Sequence, residues 1–144
     1  MKRKKTKTAE QTPLSQKGVY LLFVHVKAKL SLRIGALGVI DFEPGVYLYV
    51  GSAMGGFNKR IPRYLRPILR KRWHIDYLLE AAEVVAVLLI PSSVPIESEI
   101  TSKLMKLKFL KPYAKGFGAS DTADETHLFK IRWDLLSKNP QTAE

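Results

Sequence analysis

Gly45-Val46-Tyr47-Leu48-Tyr49-Val50-Gly51-Ser52-Ala53 runs through Met54-Gly55-Gly56 into Phe57-Asn58-Lys59-Arg60-Ile61-Pro62-Arg63-Tyr64-Leu65-Arg66. Val46, Leu48 and Val50 alternate with Tyr47 and Tyr49, which predicts a strand with both phenols on one face. The glycines that follow let the backbone turn and approach another group closely. A helix is expected next, with Asn58 as N-cap and Pro62 in its first turn. On it Arg60, Arg63, Tyr64 and Pro67 share one side. Phenols at a strand end opposite a guanidinium suit a phosphodiester: one group can hold a proton, the other an anionic oxygen.

The composition supports that direction. The chain has 144 residues, enough for one domain with a real core, and 46% of them are hydrophobic. Lys plus Arg number 24 against 13 Asp plus Glu, a formal charge of +11. Such a balance favours an anionic partner. From residue 44 to 75 there is no acid, while Lys59, Arg60, Arg63, Arg66, Arg70, Lys71 and Arg72 all occur. A solvated helix face mixes signs, so a one-sign face beside a glycine turn reads as a phosphate-binding surface. With no cysteine, thiolate zinc sites, disulfides and cysteine nucleophiles are excluded. The basic N-terminus is followed by polar residues and no segment is long and apolar enough to span a bilayer. The expectation is a soluble cytoplasmic protein with no membrane partner.

Along the chain, residues 1–16 read as a disordered basic tail, 17–136 as one domain and 137–144 as a polar tail. Residues 18–26 predict a strand, and 30–34 a second, joined to it as a hairpin. Residues 35–43 hold a further short extended piece. Residues 73–82 read as a helix with Ile75, Leu78, Leu79 and Ala82 inward. Residues 83–90 read as a buried strand stopped by Pro91. A helix over 96–107 turns Ile100, Leu104 and Leu107 inward. A glycine-rich irregular stretch covers 109–124, and 127–133 alternates like a closing strand. Trp73 and Trp133 read as core residues, with base stacking open to Trp73 beside the basic run.

Gly18-Val19-Tyr20 and Tyr49-Val50-Gly51, with Arg60 on the following helix and Glu97 on a later one, resemble the GIY-YIG nuclease superfamily. Residues 18–131 are more closely similar to its uncharacterised archaeal and bacterial stand-alone branch, a domain of unknown function. Gly51-Ser52-Ala53, Trp73-His74-Ile75-Asp76-Tyr77-Leu78-Leu79, Gly116-Phe117-Gly118-Ala119-Ser120-Asp121 and His127-Leu128-Phe129 carry that closer likeness. Some members of the branch are joined to DNA-repair enzymes. The resemblance implies an α+β fold, a small central mainly antiparallel sheet flanked by helices. It implies phosphodiester hydrolysis, DNA favoured over RNA, one Mg²⁺ or Mn²⁺, and DNA-repair proteins as partners. Glu97 would hold the ion, Tyr20 or Tyr49 would position or deprotonate the water, and Arg60 would clamp the phosphate. A free phenol, of pKa about 10, needs metal and cations to lower that value before it can act as a base.

The chain departs from the family in three places. Tyr20 and Tyr49 are widely spaced, and a second Gly-Val-Tyr at 45–47 makes Tyr47 a further catalytic candidate. Tyr64 stands where many relatives carry histidine. Thr122 and Asp124 stand where close relatives have cysteines, so any role of those cysteines is absent. Each residue also has a plainer reading. Tyr20 and Tyr47 suit a half-buried strand, Glu97 a helix N-terminus, and Asp121 and His127 a loop-fixing hydrogen bond. His74 and Asp76 do not share a helix face, so His74 reads as a structural or phosphate-contacting group. The rival to an enzyme is a non-catalytic DNA- or RNA-binding module using the same basic face.

Overall fold

The computed structural model describes residues 15–120 and 122–136. Seven strands and four short α-helices alternate along it: β1 Gly18–Val26, β2 Leu30–Arg33, β3 Val39–Phe42, β4 Gly45–Ala53, α1 Phe57–Arg60, α2 His74–Leu78, β5 Glu83–Pro91, α3 Glu97–Leu104, β6 Leu110–Pro112, β7 Leu128–Ile131 and α4 Trp133–Leu136. Five strands form one antiparallel sheet in the order β5-β1-β4-β7-β6, and β2 with β3 forms a separate ribbon. This is the α+β architecture the sequence predicts.

The predicted hairpin between residues 18–26 and 30–34 does not form. Both edges of β1 are taken, by β4 and β5, so β2 pairs with β3 instead. The strand at 83–90 is an edge strand rather than a buried one, and its residues are either partly covered or exposed. A bulge opposite Phe23 and Val24 leaves Val85 without a partner and 54% exposed. Pro91 is its last residue rather than a stop beyond it.

The sheet has two apolar faces, as the strand period requires. Tyr20, Leu22, Val24, Tyr47 and Tyr49 face the larger core, closed by Phe57, Ile61, Tyr64, Ile75 and Leu78. Val19, Leu21, Leu48, Val50 and Phe129 face the other, with Ile96, Ile100 and Leu104 of α3 against them. Leu107, expected inward, lies past the helix end and is 39% exposed; Trp133, expected in the core, is 53% exposed on α4.

The helix after β4 is shorter than its sequence suggests. It begins after Gly56, with no side-chain cap from Asn58, and gives way at Ile61 to a 3-10 turn, Ile61–Leu65. Pro62 has no N–H to return to the Asn58 carbonyl, so the α-helical ladder cannot continue through it. The turn stops at Arg66, which is extended because Pro67 follows.

Candidate functional site

The site grows from the register of β1 on β4. Tyr20 lies opposite Gly51, and Leu22 opposite Tyr49. A Cβ on Gly51 would stand 2.2 Å from the Tyr20 ring. The glycine of Tyr-Val-Gly therefore makes the space in which the other tyrosine's ring lies. Tyr20 then meets Tyr49 diagonally, with ring centroids 6.4 Å apart, and Tyr64 at 5.6 Å. The Tyr20 and Tyr64 hydroxyls share a hydrogen bond of 2.8 Å.

Arg60 reaches this group from α1. Its Nη1 donates to the Tyr20 hydroxyl at 3.3 Å and to the Ser52 carbonyl at 3.0 Å. Its guanidinium lies 4.2 Å from the centre of the Trp73 ring, and those of Arg63 and Arg72 approach the same indole at 4.7 and 5.1 Å. A guanidinium over an indole is attracted by the ring's negative face. Beside them opens a groove of about 300 Å³, lined by Lys59, Arg60, Arg63, Arg72, Trp73 and the Gly55-Gly56 turn. Across the same glycines lies a hollow of about 570 Å³, whose charged lining among the described residues is Lys17.

Asp76 organises the far wall. It is fully buried, and its carboxylate accepts from Arg63 Nη1, from the Arg72 N–H at 2.7 Å and from the Trp73 N–H at 3.0 Å. It stands three residues after the N-cap, the capping-box position, so one side chain starts α2 and fixes Arg63. Arg63 is thereby engaged within the protein, and Lys71 pairs with Glu80 at 2.7 Å. Lys59, Arg66, Arg70 and Arg72 make no ion pair among the described residues. His74 turns away from the groove: its Nδ1 accepts from the Gly118 N–H at 2.8 Å, and burial pushes its pKa down.

Glu97 opens α3 and reaches the residue before β7. Its Oε2 lies 3.1 Å from His127 Nδ1, an ion-pair distance without hydrogen-bond alignment. His127 Nε2 bonds Asp124 Oδ2 at 2.8 Å, and Ser98 Oγ donates to the same oxygen at 2.6 Å. Burial opposes charge on the imidazole, but the two carboxylates outweigh it and raise the His127 pKa. Asp124 is the residue sequence reasoning missed as a participant. Its only local signal is its place three residues before a histidine. Asp121, predicted as an accessory group, lies outside the described residues.

Tyr49 connects the two halves, being within electrostatic reach of both Arg60 and Glu97. A Cβ on Gly118, whose φ is +69°, would meet its ring at 2.8 Å, so glycine there serves both the backbone and the packing. Tyr49 retains 5% exposure, while Tyr20 is fully covered. Their ionisation runs against expectation. Burial is the leading effect on each and pushes both phenols well above their usual value, despite Arg60. At neutral pH both phenols of the metal-free protein are therefore neutral, and the Tyr20 hydroxyl is the one held by hydrogen bonds, from Tyr64 and Arg60. Tyr47 is not brought to this site. Its hydroxyl donates to the Glu43 carbonyl at 2.7 Å and its ring packs on Phe42 and Tyr113, so its placement is that of a core residue at the other end of β4.

Fold and site together define a small α+β domain with a cationic groove beside a cluster of covered phenols. The family model described as "Domain of unknown function DUF123" matches residues 19–143, and the chain belongs to that family. No curated protein and no solved structure matches the chain. No helix among the described residues is long and apolar enough to cross a membrane.

Proposed function

We propose that the chain is a nuclease-like domain of the GIY-YIG type, which grips nucleic acid, DNA in preference to RNA, and hydrolyses a phosphodiester with one Mg²⁺ or Mn²⁺. The observation that carries this reading is the placement of Arg60. Its guanidinium is held by Tyr20, Ser52 and Trp73 at a groove rich in cations, with Tyr64 and Tyr49 behind it. A planar fork so oriented can take two phosphoryl oxygens at once and neutralise the charge that grows on them in hydrolysis.

Glu97 fits a hard cation in chemistry: a part-exposed carboxylate, one oxygen of which is steadied by His127. Among the described residues no group of three or more His, Asp or Glu is arranged to hold an ion, so Glu97 would act with water ligands, as Mg²⁺ sites often do. When bound, such an ion supplies charge stabilisation and a water of lowered pKa. Tyr20 and Tyr49, protonated in the metal-free protein, would position the attacking water, and either would act as its base only with the bound ion and Arg60 lowering its pKa.

The rival reading, a binding module without catalysis, is favoured by the Glu97–His127 contact and by the covered phenols. One assay separates them. Purified protein is given Mg²⁺ or Mn²⁺ with branched, nicked, single-stranded and plain duplex substrates. Metal-dependent cutting that Arg60→Ala and Glu97→Ala each reduce about 100-fold, the scale of losing one charge-stabilising group, supports the nuclease. Retained binding with no cutting of any substrate supports the module.

A further inference from the structure

Leu69 is 95% exposed, and Leu65, four residues earlier, is 62% exposed. Both lie in a segment whose charges are all positive: Arg66 and Arg70 flank Leu69, and Lys71 and Arg72 follow. The segment is closed at its base by hydrogen bonds. Arg63 Nη2 donates to the Arg70 carbonyl at 3.1 Å, and the Arg72 N–H is held by Asp76. Pro67 stiffens it further. An apolar tip is thus presented on a fixed loop. It borders a hollow of about 240 Å³ that shares Arg63 and Arg72 with the groove at Arg60.

Resting on the nucleic-acid reading above, we propose that Leu69 is a wedge that enters a base step of duplex DNA, with Arg66 and Arg70 on the flanking phosphates. Proteins that insert aliphatic side chains between base pairs pair such a residue with arginines, and the unstacking is offset by the surface that the bent duplex then covers. The positive ring suits the phosphates, and a single leucine suits a base step. One such side chain removes too little apolar area from water to hold a protein stably in a lipid surface. Continuity with the Arg60 groove sets the deformed step beside the phosphate that Arg60 would bind. The substrate class is therefore duplex that kinks readily: pyrimidine–purine steps, nicks and junctions.

The test uses the full chain and short duplexes with 2-aminopurine at successive positions and dyes at both ends. Wild type should raise 2-aminopurine fluorescence at one step and shorten the end-to-end distance. Leu69→Ala should abolish both signals and weaken binding about 5- to 10-fold with its salt dependence unchanged. Arg66→Ala with Arg70→Ala should lower the salt slope by about 2, near 0.9 per lost phosphate contact. Leu69→Met should retain the fluorescence change. Duplex binding with no 2-aminopurine change, or with the same change in Leu69→Ala, overturns the wedge and leaves the phosphate groove standing. Absence of binding to any DNA or RNA overturns both. Leu69-dependent capture by phosphatidylserine vesicles, with no duplex unstacking, overturns the wedge in favour of a membrane contact.

Discussion

A missing methyl group decides how two tyrosines meet. Gly51 has no Cβ, and the Tyr20 ring occupies that space. Gly51→Ala cannot be absorbed by a rotamer change alone, because Tyr20 is fully buried and tied to Tyr64 and Arg60. Overpacking of this kind costs about 1–3 kcal/mol. The urea midpoint should fall accordingly, and the ring reorientation should appear in the aromatic NMR signals of Tyr20 and Tyr64. Gly55→Ala, where nothing lies within 4 Å of the added carbon, is the control and should change the midpoint little. At this scale the sequence was legible where chemistry is local. The alternation of Tyr47 and Tyr49 gave their shared face. It could not separate their roles, because the difference lies in what packs on each: Phe42 and Tyr113 on one, Tyr20 and Phe117 on the other. Burial, not proximity to arginine, governs the phenols, and burial is a property of the folded sheet.

Among the elements, the segment from Arg60 to Leu78 depends most on a single side chain. Asp76 starts α2, orders the Arg72 and Trp73 amides and fixes Arg63, all from a fully buried carboxylate. Breaking a buried ion pair by removing one partner costs about 3–5 kcal/mol. Arg63 is partly exposed, so Asp76→Ala should destabilise by the lower end of that range. Denaturant unfolding measures the loss, and a change in Trp73 fluorescence should accompany it. Asp76→Asn should recover part of the stability, since its carbonyl oxygen can still cap the helix. The start of α2 was legible within one residue from the apolar stripe of residues 73–82. Helix lengths were not readable, because Pro62 and Pro67 act on the ladder in ways that depend on where each helix begins. The 18–34 hairpin was lost for a related reason: strand order is set by which edges are free, and β1 had none.

Across the whole molecule, His127 ties the loop that leads into β7, through Asp124, to the distant start of α3, through Glu97. Its raised pKa means it binds a proton more tightly in the folded state, so its contribution is complete below its ordinary value of 6.5 and is lost as pH rises through the folded value. Asp124 behaves in the opposite sense. Burial opposes its charge, but Ser98 and His127 lower its pKa overall, and its contribution is lost as pH falls through the folded value, below the ordinary 3.8. Stability should therefore be greatest between these two limits. In wild type the urea midpoint should decline from pH 6 to pH 9, and in His127→Gln that decline should flatten. An unchanged slope in the variant would show that the imidazole is not the group responsible. The charge excess of the chain was visible from composition. The Glu97–His127–Asp124 cluster was not, because Glu97 reaches the other two from a segment far off in sequence.

The order in which the polypeptide leaves the ribosome adds a last consequence. β7, residues 128–131, fills the place between β4 and β6, yet it is made after every other strand. Until it emerges, a nascent chain presents the β4 margin around Leu48 and Tyr49 with its amides and carbonyls unmatched, a template for pairing with the wrong neighbour. Synthesis of this domain thus has a vulnerable interval that closes only when its final strand slots home, and a chaperone that shields that margin would protect the yield more than any stabilisation of the finished protein.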